Sequence, residues 1–350
     1  MPIRAIKYLS PFVMFVLAWF AFQGKGWICF APLLYAYVFI PTLELFIKPD
    51  PKNMSAAEEE VAKKDGVYDW ILYAVVPLQY GALVLFLFSF QQEGLHWVDI
   101  AGRIFSMGLL CGAFGINVAH ELGHRVNTAE QTMAKMLLLT SQYMHFIIEH
   151  NKGHHKRVAT HDDPSSARLR ESLFAFYPRT IVMSYLSAWH IENNDLRKAG
   201  KPMISIYNEM IWFAIIQMAF IALIGWFFGI TIMLYYMAAA ILGIGLLETV
   251  NYIEHYGLRR KELEPGKFER AMPEHSWNSN HLIGRMMLFE LSRHSDHHYL
   301  ASRKYQILRH HDNAPQMPTG YPGMMILAHF PPLFFYLMDK QMKKYGIVVQ

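Results

Sequence analysis

The sequence predicts an all-α polytopic membrane protein, with six transmembrane helices in three hairpins and a histidine-rich helical cap on one side. Three observations predict it. Hydrophobic residues make up 53% of the 350 and charged residues 17%, where soluble domains average about 25% charged. Six apolar stretches are separated by short polar connections. Eighteen histidines are present, most of them in the second two thirds of the chain. Disorder, collagen and coiled coil are excluded, because apolar runs dominate and no short repeat appears. The two cysteines, Cys29 and Cys111, lie inside apolar runs, which excludes a disulfide framework, a cysteine-ligated zinc site and an iron-sulfur centre.

The stretches run over 9–23, 27–47, 70–90, 98–119, 206–228 and 230–250, and a bilayer is crossed by about 20 apolar residues. The first is short, but it lacks a small-residue cleavage pattern and runs almost directly into the second. The pair therefore reads as a helical hairpin. The other four pair likewise, with Gln91 to Trp97 and the Gly229 region as connections. A further apolar run, Thr132 to Ile148, is set aside as a surface or subjacent helix, since a span there would place the histidines on its two sides across the membrane from each other. On this topology all Lys and Arg except Lys25 and Arg103 fall on one side, which the positive-inside rule makes cytoplasmic, with both termini. The chain reads as one integral-membrane catalytic domain over 1–350, with cytoplasmic segments 120–205 and 251–350.

Seventeen histidines fall on that side, His96 being the exception, and eight are packed into three motifs. The first is His-Glu-Leu-Gly-His-Arg at 120–125, where His120 and His124 share a helix face. In Glu-His-Asn-Lys-Gly-His-His at 149–155, helical spacing puts His150 and His154 on one face with His155 beside them. In Arg-His-Ser-Asp-His-His at 293–298, His294, His297 and His298 stand at i, i+3 and i+4. A lone histidine near a membrane is usually structural, but adjacent doubles point about 100° apart and fill no single apolar stripe. Metal binding explains them. Eight imidazoles exceed the four ligands of tetrahedral zinc and the six of an octahedron, so two ions are the natural count. Nitrogen ligation suits iron, zinc or copper. The first motif also spells the His-Glu-x-x-His of zinc proteases, a reading that leaves at least five motif histidines without a role. A metal transporter would hold its ligands nearer the bilayer midplane.

With these motifs the chain resembles the integral-membrane alkane 1-monooxygenases, relatives of the membrane fatty acyl desaturases and xylene monooxygenases. The three histidine boxes are the pattern of the wider superfamily. The alkane hydroxylases are singled out by Asn251-Tyr-Ile-Glu-His-Tyr-Gly-Leu258, by Trp277-Asn-Ser-Asn-His281 and by the run Asp312 to Tyr321. Ser292 stands where the family commonly has Gln, and Arg125 where it has Lys. The resemblance implies that His255 is a ninth ligand, although a lone histidine at a span's end reads equally well as an interfacial residue. It further implies two iron ions, O2 as co-substrate, and hydroxylation of a medium-chain n-alkane to the 1-alkanol in a bacterial inner membrane. Desaturation is the nearest alternative chemistry. The chain carries no Gly-rich dinucleotide motif and no cysteine cluster, so its electrons come from outside; the resemblance implies rubredoxin with rubredoxin reductase.

Three further groups of residues follow. Glu121, Glu254 and Asp296 neighbour the ligands and are expected to orient imidazoles, while Glu149 reads equally well as a solvated surface acid. Gly108, Gly112, Ala113 and Gly115 either leave room for a substrate channel beside Ile116 and Asn117 or let helices pack closely. Arg259, Arg260, Lys261, Arg303, Lys304 and Arg309 either steer an acidic donor protein or are ordinary positive-inside residues.

Overall fold

The computed structural model describes residues 3–347; the extreme ends of the 1–350 domain, both terminal residues included, lie outside the described residues. In chain order the helices are α1 (Arg4–Gln23), α2 (Gly26–Glu44), α3 (Ala56–Lys64), α4 (Val67–Ser89), α5 (Trp97–Gly123), α6 (Thr128–Thr140) and α7 (146–157). Then come α8 (Leu173–Lys198), α9 (Glu209–Phe228), α10 (Ile230–His255), α11 (Leu282–Met287), α12 (His294–Tyr299), α13 (Tyr321–Ala328) and α14 (Pro331–Lys344). One small antiparallel hairpin, β1 (Glu262–Glu264) with β2 (Lys267–Phe268), interrupts the helical plan around Gly266, whose φ is +74°.

Six of these helices, α1, α2, α4, α5, α9 and α10, are long and apolar enough to cross a bilayer. The first span begins at Arg4 instead of Leu9, because a 3-10 turn over Lys7–Phe12 accommodates Pro11 and continues into the helix. That supplies the length the apolar run alone lacks. The fifth begins at Glu209, three residues after the expected Ile206, since the Asn208 side chain accepts the N–H groups of Met210 and Ile211 and caps the helix there. The apolar run 132–148 is no span: α6 ends at Thr140, and Gln142 takes the left-handed conformation at φ +54° before α7 begins.

Sequence neighbours α1 and α2, α4 and α5, and α9 and α10 touch, but the most extensive seam joins α5 to α10. Small residues make it. A Cβ added at Gly108 would lie 2.7 Å from Leu242 Cβ, one at Gly112 3.0 Å from Leu246 Cβ, and one at Gly243 2.6 Å from Cys111 Cβ. The predicted small-residue stripe is therefore first a packing surface, as such stripes are in membrane helices. Its consequence for function is positional, because α5 and α10 both end in histidine motifs and the seam sets those ends side by side.

Candidate metal centre

His120 and His124 leave the end of α5, His255 the last residue of α10, and His294, His297 and His298 the short helix α12. The second box sits in a π-helical turn over Glu149–His154. A π-turn carries one residue more per turn than an α-helix. It brings His150 together with His155, their Nε2 atoms 3.0 Å apart, while His154 turns toward His298, at 3.2 Å. The expected pairing of His150 with His154 is thus replaced. The four segments of chain converge on two groups: His120, His124, His150, His155 and His297 in one, and His154, His255, His294 and His298 in the other, each with its ligand nitrogens within 4.8 Å of one another. The groups adjoin, with the ring centroids of His155 and His298 4.5 Å apart.

The donor set fits a metal. His120 and His297 bring Nε2 atoms to 2.9 Å, and His155 faces both His150 and His297 at 3.0 Å. In the second group His294 faces His298 at 2.9 Å and His255 at 3.2 Å. Imidazole Nε2 atoms turned on one another at such separations aim lone pairs at shared points, and the Nε2 of His124 is buried with no hydrogen-bond partner. Burial pushes the His124 imidazole down to about 3 and holds His150, His155, His294, His297 and His298 well below the ordinary value. These imidazoles are therefore neutral at pH 7, the state that binds metal.

The carboxylates divide differently from expectation. Glu254 lies at the ligand face, its Oε2 3.2 Å from His294 Nε2 and its Oε1 accepting the Tyr321 hydroxyl at 2.8 Å. Glu121 instead accepts from Arg125 at 2.6 Å and from the Tyr305 N–H at 3.1 Å. Asp296 accepts from Arg303, His311 and the Arg309 N–H. Neither acid bonds a histidine of the cage; Glu121 follows His120, Asp296 precedes His297, and each points away from the cage, where it pins the 303–311 segment. Glu149 bonds Arg157 at 2.8 Å, and burial, with Asp163 adding to it, pushes its carboxyl up to about 7. A carboxylate that grips a ligand by its Nδ1 is Asp163, 2.9 Å from His154 Nδ1, and sequence reasoning missed it. The signal available was faint: an acid in the loop that follows the second box.

The three further motif runs are structural ties, the Asn278 N–H donating to Pro315 O at 2.8 Å and the Met317 N–H to Asn278 O at 2.7 Å. Trp277 donates its N–H to Glu254 O at 2.8 Å and its indole N–H to Tyr256 O at 2.9 Å. Asn278 accepts the Ser295 N–H at 2.8 Å, so the run 277–281 fastens the end of α10 to α12.

Beside the cage an apolar cavity runs among the spans. Its wall includes Ala36 and Ile40 of α2, Ala113 of α5, Leu246 of α10 and Met325 of α13, and it ends on His120, His150, His294 and Glu254. Gly112 and Asn117 line it as expected. Ile116 is fully buried and is not part of the wall.

Five of the six basic residues expected to dock a donor have an internal partner for the side chain, Arg309 pairing with Glu59. Arg259 donates to Thr160 O, Arg260 to Glu269 O and Lys156 O, Arg303 to Asp296, and Lys304 to Asp69. Arg260 also borders a polar groove with Lys152, Lys156 and Arg157, on the outer side of the second box.

The fatty acid desaturase family model matches residues 95–328, which contain all nine histidines. Alkane 1-monooxygenase 1 of Pseudomonas aeruginosa is 42% identical over 313 residues, covering 87% of this chain and 80% of that protein. The chain belongs to the alkane 1-monooxygenase family. The alkane 1-monooxygenase of Acinetobacter baylyi is 38% identical across 87% of this chain and 74% of its own length. More distantly, the hydroxylase component of a xylene/toluene monooxygenase from Pseudomonas putida is 28% identical over 78% of this chain and 73% of that protein. As an alkane 1-monooxygenase the chain is an oxidoreductase of the membrane that hydroxylates alkanes, and its histidine groups suit a non-haem iron centre. The zinc-protease and transporter readings of the first box are set aside by this membership.

Proposed function

We propose that the protein converts medium-chain n-alkanes to 1-alkanols at two iron ions held by the nine histidines, using O2 and electrons from rubredoxin and its reductase. The observation that carries this reading is the apolar cavity ending on both histidine groups. An alkane partitions into the bilayer and offers no polar handle, so its orientation must come from shape. A cavity with Ala36, Ile40 and Leu246 along its wall and His120 and His294 at its end admits such a chain end-on. Bound there, iron supplies the oxidising chemistry for the terminal C–H bond. The chain supplies the rest: the close α5–α10 seam keeps the ligand ends in register, apolar side chains exclude water, and Tyr321 holds the Glu254 carboxylate against the cavity's end.

The charge bias of the loops supports a bacterial inner-membrane location with the cage and both termini cytoplasmic, the compartment in which a soluble donor is reduced. The donor meets the protein at the basic groove of Lys152, Lys156 and Arg260, next to the second box; Arg259, Arg303 and Lys304 support the surrounding surface. The test is metal analysis of the purified protein together with O2-dependent conversion of octane in the presence of rubredoxin and its reductase. About two irons per chain and 1-octanol are expected. An octene product would replace hydroxylation by desaturation, and one zinc with no O2 uptake would overturn the reading.

A further inference from the structure

A second cavity, of about 310 Å³, lies apart from the alkane cavity. Its wall comes from the start of α1, the 50–54 segment after α2, α11, and the residues flanking α12. Five cations border it: Arg4, Lys7, Lys52, Arg285 and Arg293. Three acids, Asp50, Glu59 and Glu290, do too, and Arg4 is already paired with Glu58, outside the wall. Glu59 is held by Arg309, which is not part of the wall. Glu290 accepts from Lys7 at 2.9 Å, Tyr8 at 2.8 Å and Arg285 at 2.7 Å.

That leaves positive charge in excess. Among the described residues Lys52 has no acid within ion-pair distance. Arg293 is 3% exposed. Its terminal nitrogens donate to Lys52 O at 2.8 Å and Leu308 O at 2.6 Å, yet its Nε has no hydrogen-bond partner, the nearest acid oxygen being Glu290 Oε2 at 4.0 Å. Burying a guanidinium with an unused N–H is costly, and an anion with several oxygens in the adjoining cavity offsets its uncompensated charge. Phosphate has that geometry and meets both guanidinium and ammonium donors. The rest of the wall includes Met54, Leu282 and Ile307, which suit carbon attached to such a group. The cavity also sits where the first span begins, the level at which phospholipid phosphates lie.

We propose that this cavity binds a phosphate group. A phospholipid headgroup and free inorganic phosphate both carry one, and the experiment separates them. Because Arg293 immediately precedes His294, the bound group ties the third histidine box to α1 and to the 52–53 segment.

The test uses the detergent-purified, iron-loaded full chain, with Tm and native mass spectrometry read against phosphatidylglycerol, inorganic phosphate and diacylglycerol. Phosphatidylglycerol is expected to raise Tm by about 2–3 °C and to remain bound as one molecule. Lys52→Glu should remove both effects while iron content stays unchanged, since that side chain is exposed and holds no ligand. Lys48→Glu, which lies outside the wall, should keep them. An equal shift from inorganic phosphate would identify free phosphate as the source. The proposal is overturned if neither phosphate compound shifts Tm, if diacylglycerol matches phosphatidylglycerol, or if Lys52→Glu and Lys48→Glu behave alike.

Discussion

The Asp163 carboxylate lies 2.9 Å from His154 Nδ1, with both side chains buried. Ser166 donates to the same carboxylate oxygen at 2.6 Å and the Ser165 N–H to the other at 3.2 Å. Burial opposes both charges, but each partner outweighs it: Asp163 is held down at about 2 and His154 above its ordinary value. The contact keeps the proton on Nδ1 and turns the Nε2 lone pair into the cage. The other three imidazoles of that group, His255, His294 and His298, have buried Nδ1 atoms with no partner, so Asp163 is the anchor of the set. Asp163→Asn offers Nδ1 an ambiguous partner and should weaken metal binding about 10- to 100-fold, read by competition with a chelator. Unchanged affinity would show that packing alone orients His154.

The spans and the three boxes were legible in the sequence because both are written in local spacing: about 20 apolar residues for a span, and i, i+3, i+4 repeats for a ligand face. What was not legible depends on departures from that spacing or on distant partners. The π-turn that sends His154 away from His150 has no residue signature in Glu149–His154. Asp163 acts from a loop, and its role exists only once the loop folds back on α7. Adjacency in sequence points Glu121 and Asp296 at the cage, yet a neighbour on a helix lies about 100° round from the ligand beside it. Charge in the sequence does not tell a docking residue from an internally paired one, and the engagement of Arg259, Lys304 and Arg303 by Thr160 O, Asp69 and Asp296 needs the tertiary fold.

Gly243 tests the seam that aligns the cage. Its missing Cβ would lie 2.6 Å from Cys111 Cβ and 3.1 Å from the Gly112 nitrogen, so Gly243→Ala must part α10 from α5. A cost of about 1–3 kcal/mol is expected, seen as a lower Tm and reduced iron retention. A variant as stable as the parent would mean that the helices slide without loss.

Ala113 tests the cavity. It lines the wall on α5, one turn before Asn117. Ala113→Phe should shorten the usable length and depress turnover of long alkanes several-fold more than of short ones. Equal loss across chain lengths would place the substrate elsewhere.

Glu290 gives a pH dependence. Burial raises its carboxyl, but Arg285, Lys7 and Arg293 together bring it down to about 2 from 4.5. A depressed folded value means that the stabilisation is complete above about pH 4.5 and is lost as pH falls toward 2. Its size is about 3 kcal/mol. Glu290→Gln should therefore be clearly less stable than the parent at pH 7, with the gap narrowing below pH 4.5. A gap independent of pH would assign its role to shape and not to charge.

The division of the second box gives the sharpest test of the centre. Were Glu149–His154 an ordinary α-helix, His150 and His154 would share a face and serve one ion. With the π-turn, His150 stands with His124 and His155, while His154 stands with His255, His294 and His298. Single alanine variants in iron-57-enriched protein distinguish the two, because a five-nitrogen and a four-nitrogen site give different Mössbauer signals. His154→Ala and His298→Ala should perturb the same signal, leaving about one iron per chain in the other site. His150→Ala and His124→Ala should perturb the opposite one. If His150→Ala and His154→Ala instead deplete the same signal, the turn is α-helical in the metal-loaded protein and the five-and-four division fails with it.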